Sequence, residues 1–115
     1  MAKTTPKLTD GIFELYDADL DKITQREDIS TRIGWEFWQR FLKGKTTKSF
    51  RFIHTNAQGF KFSFTGVKQK HSNGWFWYGH KRVDKKLRKK YIGRAENLTV
   101  KKLVEVAEYL AQGRL

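Results

Sequence analysis

The chain has 115 residues, 38% of them hydrophobic, and a formal net charge of +12. That length accommodates one domain around one modest core. The absence of cysteine excludes disulfides and thiolate metal sites and points to a reducing, cytoplasmic setting, and no apolar run is long enough for a signal peptide or a membrane span.

The charge is unevenly placed. Residues 1–36 hold five basic and eight acidic side chains, so residues 37–115 carry +15. Clustered like charge opposes folding by self-repulsion, and a polyanionic partner is the usual reason for its retention.

In chain order, residues 1–9 read as a disordered polar arm containing the only proline, Pro6, and residues 10–115 as a single basic domain. From Asp10 to Asp28 the apolar positions fit a short strand or irregular segment leading to a helical turn. "DADLDKITQRED" starts like a calcium loop, with carboxylates at places one, three and five, but Lys22 occupies the glycine place and Asp28 the bidentate glutamate place. An acidic patch at a helix start is the better reading. "DISTRIGWEFWQRFLKG" predicts an amphipathic helix capped by Ser30 or Thr31, with Trp35, Trp38, Phe41 and Leu42 on one face and Gly44 at its end.

The period then changes to two. "KSFRFIHT" and "FKFSFTGVKQK" place Phe50 and Phe52, then Phe60, Phe62 and Phe64, at alternate positions and predict a hairpin. "WFWYGHKRV" and "KLRKKYIG" predict a second hairpin turning at Asp84-Lys85, with Val83 opposite Lys86, Arg82 opposite Leu87, Lys81 opposite Arg88, Tyr78 opposite Tyr91 and Trp77 opposite Ile92. Thr99 opens a final helix with an apolar stripe from Val100 to Ala111, ended by Gly113. The expected fold is α+β: an antiparallel three- to four-stranded sheet packed by the C-terminal helix, with an additional aromatic N-terminal helix at its edge.

In this register one hairpin face gathers Phe76, Tyr78, Leu87 and Tyr91, a seat for the C-terminal helix. The other gathers Trp77, Gly79, Lys81, Lys86, Arg88 and Lys90, an open cationic face on which phosphates would rest, with Gly79 allowing close approach. The expected nucleic-acid-binding set is Lys81, Arg82, Lys86, Arg88, Lys89 and Lys90, extended by Lys68, Lys70 and Arg94. Trp75 and Trp77 are candidates for stacking on unpaired bases. Duplex DNA is the favoured ligand. Single-stranded DNA or RNA is one alternative, and an acidic protein partner docked on the basic hairpin is another.

The segment from Phe64 to Ala111, with its basic hairpin followed by a helix, resembles the arm-site DNA-binding domain of tyrosine recombinases and, more distantly, the plant ethylene-response type of DNA-binding domain. The resemblance implies a sheet face in the major groove, with Trp77, Lys81 and Arg88 as readers and Lys68 and Lys70 on phosphates. "WFWYGHKRVDKKLRKKYIGRAENLT" is also similar to an aromatic-rich basic ribbon of small bacterial proteins, which implies no activity. The chain departs from both at Lys85, where a turn glycine is expected, and in the helix around Trp35.

No catalytic, cofactor or metal site is expected. There is no G-x-S-x-G elbow and no phosphate-binding glycine loop. His54, His71 and His80 lack metal-ligand spacing. The residual enzymatic alternative is a magnesium nuclease using Asp17, Asp19 or Glu36.

Overall fold

The computed structural model describes residues 4–111. The protein is α+β, built on a seven-stranded mixed sheet with two helices. Strands β1 (Thr4–Thr9), β2 (Ile12–Asp17) and β3 (Lys22–Asp28) form one antiparallel meander. Helix α1 (Arg32–Leu42) crosses over to a second meander of β4 (Ser49–Thr55), β5 (Lys61–His71), β6 (Gly74–Val83) and β7 (Lys86–Gly93). A 3-10 turn, Ala95–Asn97, leads into α2 (Val100–Ala111). The meanders join through a parallel pairing of β1 with β4, giving the order β3-β2-β1-β4-β5-β6-β7.

The expected sheet of three or four antiparallel strands is therefore corrected to seven, and the disordered arm over residues 1–9 gives way to a central strand from Thr4. Pro6 has no N–H to donate; β1 pairs with β4 only beyond it, from Lys7 to Thr9, and Leu8 is fully buried. The turn into β2 is Asp10-Gly11, both at positive φ (49° and 83°), flanked by paired Thr9 and Ile12. This is the two-residue hairpin signal that aspartate-glycine supplies. Asp10 also ties the turn to β4, its carboxylate accepting from the Thr55 N–H at 2.8 Å.

The acidic segment after β2 is a turn and not a helix start. Asp17 accepts from the Asp19 and Leu20 N–H groups, and Tyr16 donates to Asp21.

Helix α1 starts where its sequence predicts. Thr31 accepts from Gly34 N at 3.0 Å as N-cap, and Trp38 and Leu42 are buried. Its place differs from the expected sheet edge: it is the crossover between the meanders and packs on the same sheet face as α2, with Trp38 against Phe13 of β2 and Phe50 of β4. Gly34 lies against the Asp28 carbonyl at the end of β3, so a methyl there meets backbone that cannot rotate away. Gly34→Ala should destabilise the fold by about 3 kcal/mol, read from the urea midpoint; an unchanged midpoint would refute this docking of α1.

The β4–β5 hairpin forms as expected, although only Phe50, Phe52 and Phe64 are buried, while Phe62 is partly buried and Phe60 is exposed. The β6–β7 register is the expected one from Val83–Lys86 to Tyr78–Tyr91; beyond it a bulge sets Trp77 opposite Gly93 instead of Ile92. The Asp84-Lys85 turn takes positive φ at both residues (51° and 68°) without glycine. Leu103, Val106, Ala107 and Leu110 bury one face of α2, and Thr99 accepts from Lys102 N. Gly113 lies outside the described residues. Among those residues no helix is long and apolar enough to cross a membrane.

Candidate nucleic-acid interface

Because directly opposed residues share a sheet face, the pairings sort every strand residue. One face takes Phe13, Leu8, Phe52, Phe50, Phe64, Gly66, Gly79 and Trp77, and both helices pack on it. The hairpin faces are thus exchanged relative to expectation. The Trp77-Gly79 side, expected to be open, lies under α2; the Phe76-Tyr78-Leu87-Tyr91 side, expected under the helix, has no helix over it among the described residues.

The glycines explain the choice. Gly66 and Gly79 face each other across β5 and β6, the Phe50 ring fills the space over Gly66, and Val106 of α2 would lie 2.8 Å from a Cβ at Gly79. The missing side chain at Gly79 admits a helix, not a sugar-phosphate.

The cations on this side have internal work. Lys81 Nζ donates to Ser63 O at 3.0 Å. Arg88 donates to Leu110 O at 3.2 Å, in the last turn of α2, where carbonyls carry partial negative charge. Lys90 lies 4.4 Å and Arg88 5.5 Å from the Tyr109 ring centroid, within cation–π range. Lys81 and Arg88 stand directly opposite each other, and these contacts offset the repulsion that like charges in a cross-strand pair bring.

Lys68 sits between Trp75 and Trp77, 5.3 and 5.9 Å from their ring centroids, and donates to Gly44 O at 3.0 Å; burial lowers its pKa. Trp77 is 1% exposed and cannot stack on a base, whereas Trp75 is 51% exposed, with Lys70 over its ring. This expected pair divides into one core residue and one surface residue.

The open face carries a different constellation. A single transverse row runs Arg26–Glu14–Lys7–Arg51–Thr65–His80–Lys89, each residue opposite the next across all seven strands. Glu14 pairs with Arg26 at 3.3 Å. From Lys7 to Lys89 no carboxylate interrupts the row, a span of about 19 Å at the usual strand spacing. Arg82 lies beside it, and neither Arg82, Lys86 nor Lys89 makes an ion pair among the described residues.

Next to this row stands an aromatic group. Tyr78 packs edge-on to Tyr91 at 5.4 Å, Phe76 lies 6.2 Å from Tyr91, and His71 contacts both Phe76 and Tyr78, sharing a hydrogen bond with the Tyr78 hydroxyl at 3.1 Å. Tyr91 is 50% exposed and Leu87 46%. Arg94, expected as a phosphate contact, lies over Phe76 and donates to Asn73 O at this edge.

The expected set therefore splits three ways. Arg82, Lys89 and Arg94 border the open face, Lys86 is at the hairpin tip, and Lys68, Lys70, Trp75, Trp77, Lys81, Arg88 and Lys90 belong to the helix side. Sequence reading missed Lys7, Arg51, His71 and His80 as members of one surface. Their signal is the pairing register, which joins strands more than forty residues apart. The histidines do not converge: His54 contacts Asp10 while His71 and His80 are on the open face, and no cluster of three metal-ligating side chains occurs among the described residues. Compared with protein-family models, curated proteins and solved structures, the chain gives no match.

Proposed function

We propose that this protein binds single-stranded nucleic acid across the open face of its sheet, with phosphates on Lys7, Arg51, Arg82 and Lys89 and bases on Tyr91, Tyr78 and Phe76. The observation that carries this reading is one sheet face, uncovered among the described residues, on which a stretch from Lys7 to Lys89 without carboxylates adjoins a partly exposed aromatic group. Cations supply sequence-tolerant attraction by releasing condensed counterions, and every base offers a π-face to an aromatic ring. No nucleophile or metal site is needed, and the reading is of a binding module.

A continuous seven-stranded sheet spans about 29 Å, too broad for a major groove of about 12 Å. Duplex DNA is the second reading, favoured by one feature: beyond His80, β6 pairs only with β7, so Lys81–Arg88 leaves the sheet as a narrow ribbon carrying Arg82, Lys85 and Lys86.

Fluorescence anisotropy with labelled single strands of DNA and RNA and the matching duplex, at about 50 and 200 mM salt, separates the readings. The expected result is tighter single-strand binding, weakened about tenfold by Tyr91→Ala, within the range for one lost base stack. Duplex preference with no effect of Tyr91→Ala would transfer the function to the ribbon. Absence of binding to either form at the higher salt would discard nucleic acid in favour of an acidic protein partner.

A further inference from the structure

The cationic row does more than present charge. Where β5 and β6 part, beyond Thr65 and His80, the open face sinks into a depression of about 350 Å³. Arg51, Ser63, Thr65, His80, Arg82 and Leu87 are among its walls, and among the described residues none that lines it is acidic. Lys81, donating to Ser63 O, ties the parting strands together and closes the fork.

Two details point to an oxyanion. Arg51 already donates to Ser63 Oγ at 3.1 Å, so a guanidinium and a hydroxyl are held side by side without a carboxylate to neutralise them. His80 Nε2 is buried and has no hydrogen-bond partner among the described residues. An orphaned buried polar atom costs about 1–3 kcal/mol, and a turn of the ring that opens Nε2 to the depression His80 lines would let a ligand oxygen relieve it. The groups near the imidazole are Thr65 from β5, Lys89 from β7 and the cations Arg51 and Arg82, and burial together with Lys89 holds its pKa below the ordinary value.

An internal phosphodiester offers two unbridged oxygens and one negative charge, and it must leave the site in both directions. A phosphate monoester offers three oxygens and nearly two charges, and it ends a chain. Two guanidiniums, a hydroxyl pair and an imidazole in a depression closed at the strand fork match the second. Resting on the single-strand reading above, we propose that this depression holds the terminal phosphate monoester of the bound strand, so that the protein recognises an end of the nucleic acid.

The test compares one short oligonucleotide in four forms, with 5′-phosphate, 3′-phosphate, both ends hydroxyl and both phosphorylated, against the wild type and Arg82→Gln. The proposal expects at least tenfold tighter binding of one monophosphorylated form than of the hydroxyl form, with the preference lost in Arg82→Gln; the 5′ and 3′ arms identify which end is held. In parallel, NMR follows the His80 ring through a pH titration with and without a nucleoside monophosphate, whose phosphate should move its midpoint upward. Equal binding of all four forms with an unmoved His80 titration overturns end recognition while leaving strand binding intact. Failure of every oligonucleotide to bind, with His80 still responding to the monophosphate, retains the phosphate site and removes the strand-binding reading; failure with an unmoved His80 removes both.

Discussion

Replacing Arg51 and Lys89 together by glutamate should weaken single-strand binding about a hundredfold at roughly 100 mM salt, at about 1.4 kcal/mol for each reversed charge. The two residues stand on β4 and β7, separated by Thr65 and His80 in the same transverse row. Both are exposed, so the substitution leaves the core untouched. Each neutralised phosphate contributes about 0.7 to the slope of log affinity against log salt for a single strand, so losing two contacts should flatten that slope by about 1.4. Lys90→Ala is the matched control, because Lys90 lies one residue along β7 but on the helix side, over Tyr109. It should leave affinity within about twofold. An equal loss per unit of charge removed in Lys90→Ala would mean that attraction is diffuse and that the open face holds no defined track.

That control tests the point at which sequence reading and structure part. The β6–β7 register was legible because the Asp84-Lys85 turn lies between two basic runs and fixes the pairing outward from it, and six of the seven observed pairs keep one spacing. Which face meets the helix was not legible, because both faces are rich in aromatic residues: Trp75 and Trp77 on one, Phe76, Tyr78 and Tyr91 on the other. The deciding feature is Gly79 opposite Gly66, a gap that has meaning only once β5 is aligned beside β6. In the same way, Leu8 looks isolated in polar sequence, yet it is fully buried because β1 pairs in parallel with β4, on the far side of α1. Local periodicity reports an element's own pattern, whereas a parallel partner some forty residues away lies beyond its reach.

The cationic row depends on that same distant pairing, since Lys7 meets Arg51 only while the two meanders are held in register. Trp38→Ala should therefore have the largest effect on the fold, about 3–5 kcal/mol for loss of a large buried aromatic, or roughly 15 °C or more in Tm for a domain of this size. Trp38 is fully buried on the crossover helix, edge-on to Phe13 of the first meander at 4.9 Å and to Phe50 of the second at 5.0 Å. Its indole N–H donates to Leu98 O at 2.9 Å, fastening α1 to the segment that introduces α2. Trp38→Phe separates the contributions: it keeps much of the ring packing but leaves a buried carbonyl without its donor, a loss of about 1–3 kcal/mol. Calorimetric melting of both variants, with Arg51→Glu/Lys89→Glu beside them, distinguishes the two kinds of residue. The tryptophan variants should lower Tm, and binding should fall only as the folded fraction falls; the charge variant should lose binding at an almost unchanged Tm. A Trp38→Ala protein melting within a few degrees of the wild type would refute the role of this side chain as the link between the meanders, and with it the explanation of how strands so far apart in sequence are held as one surface.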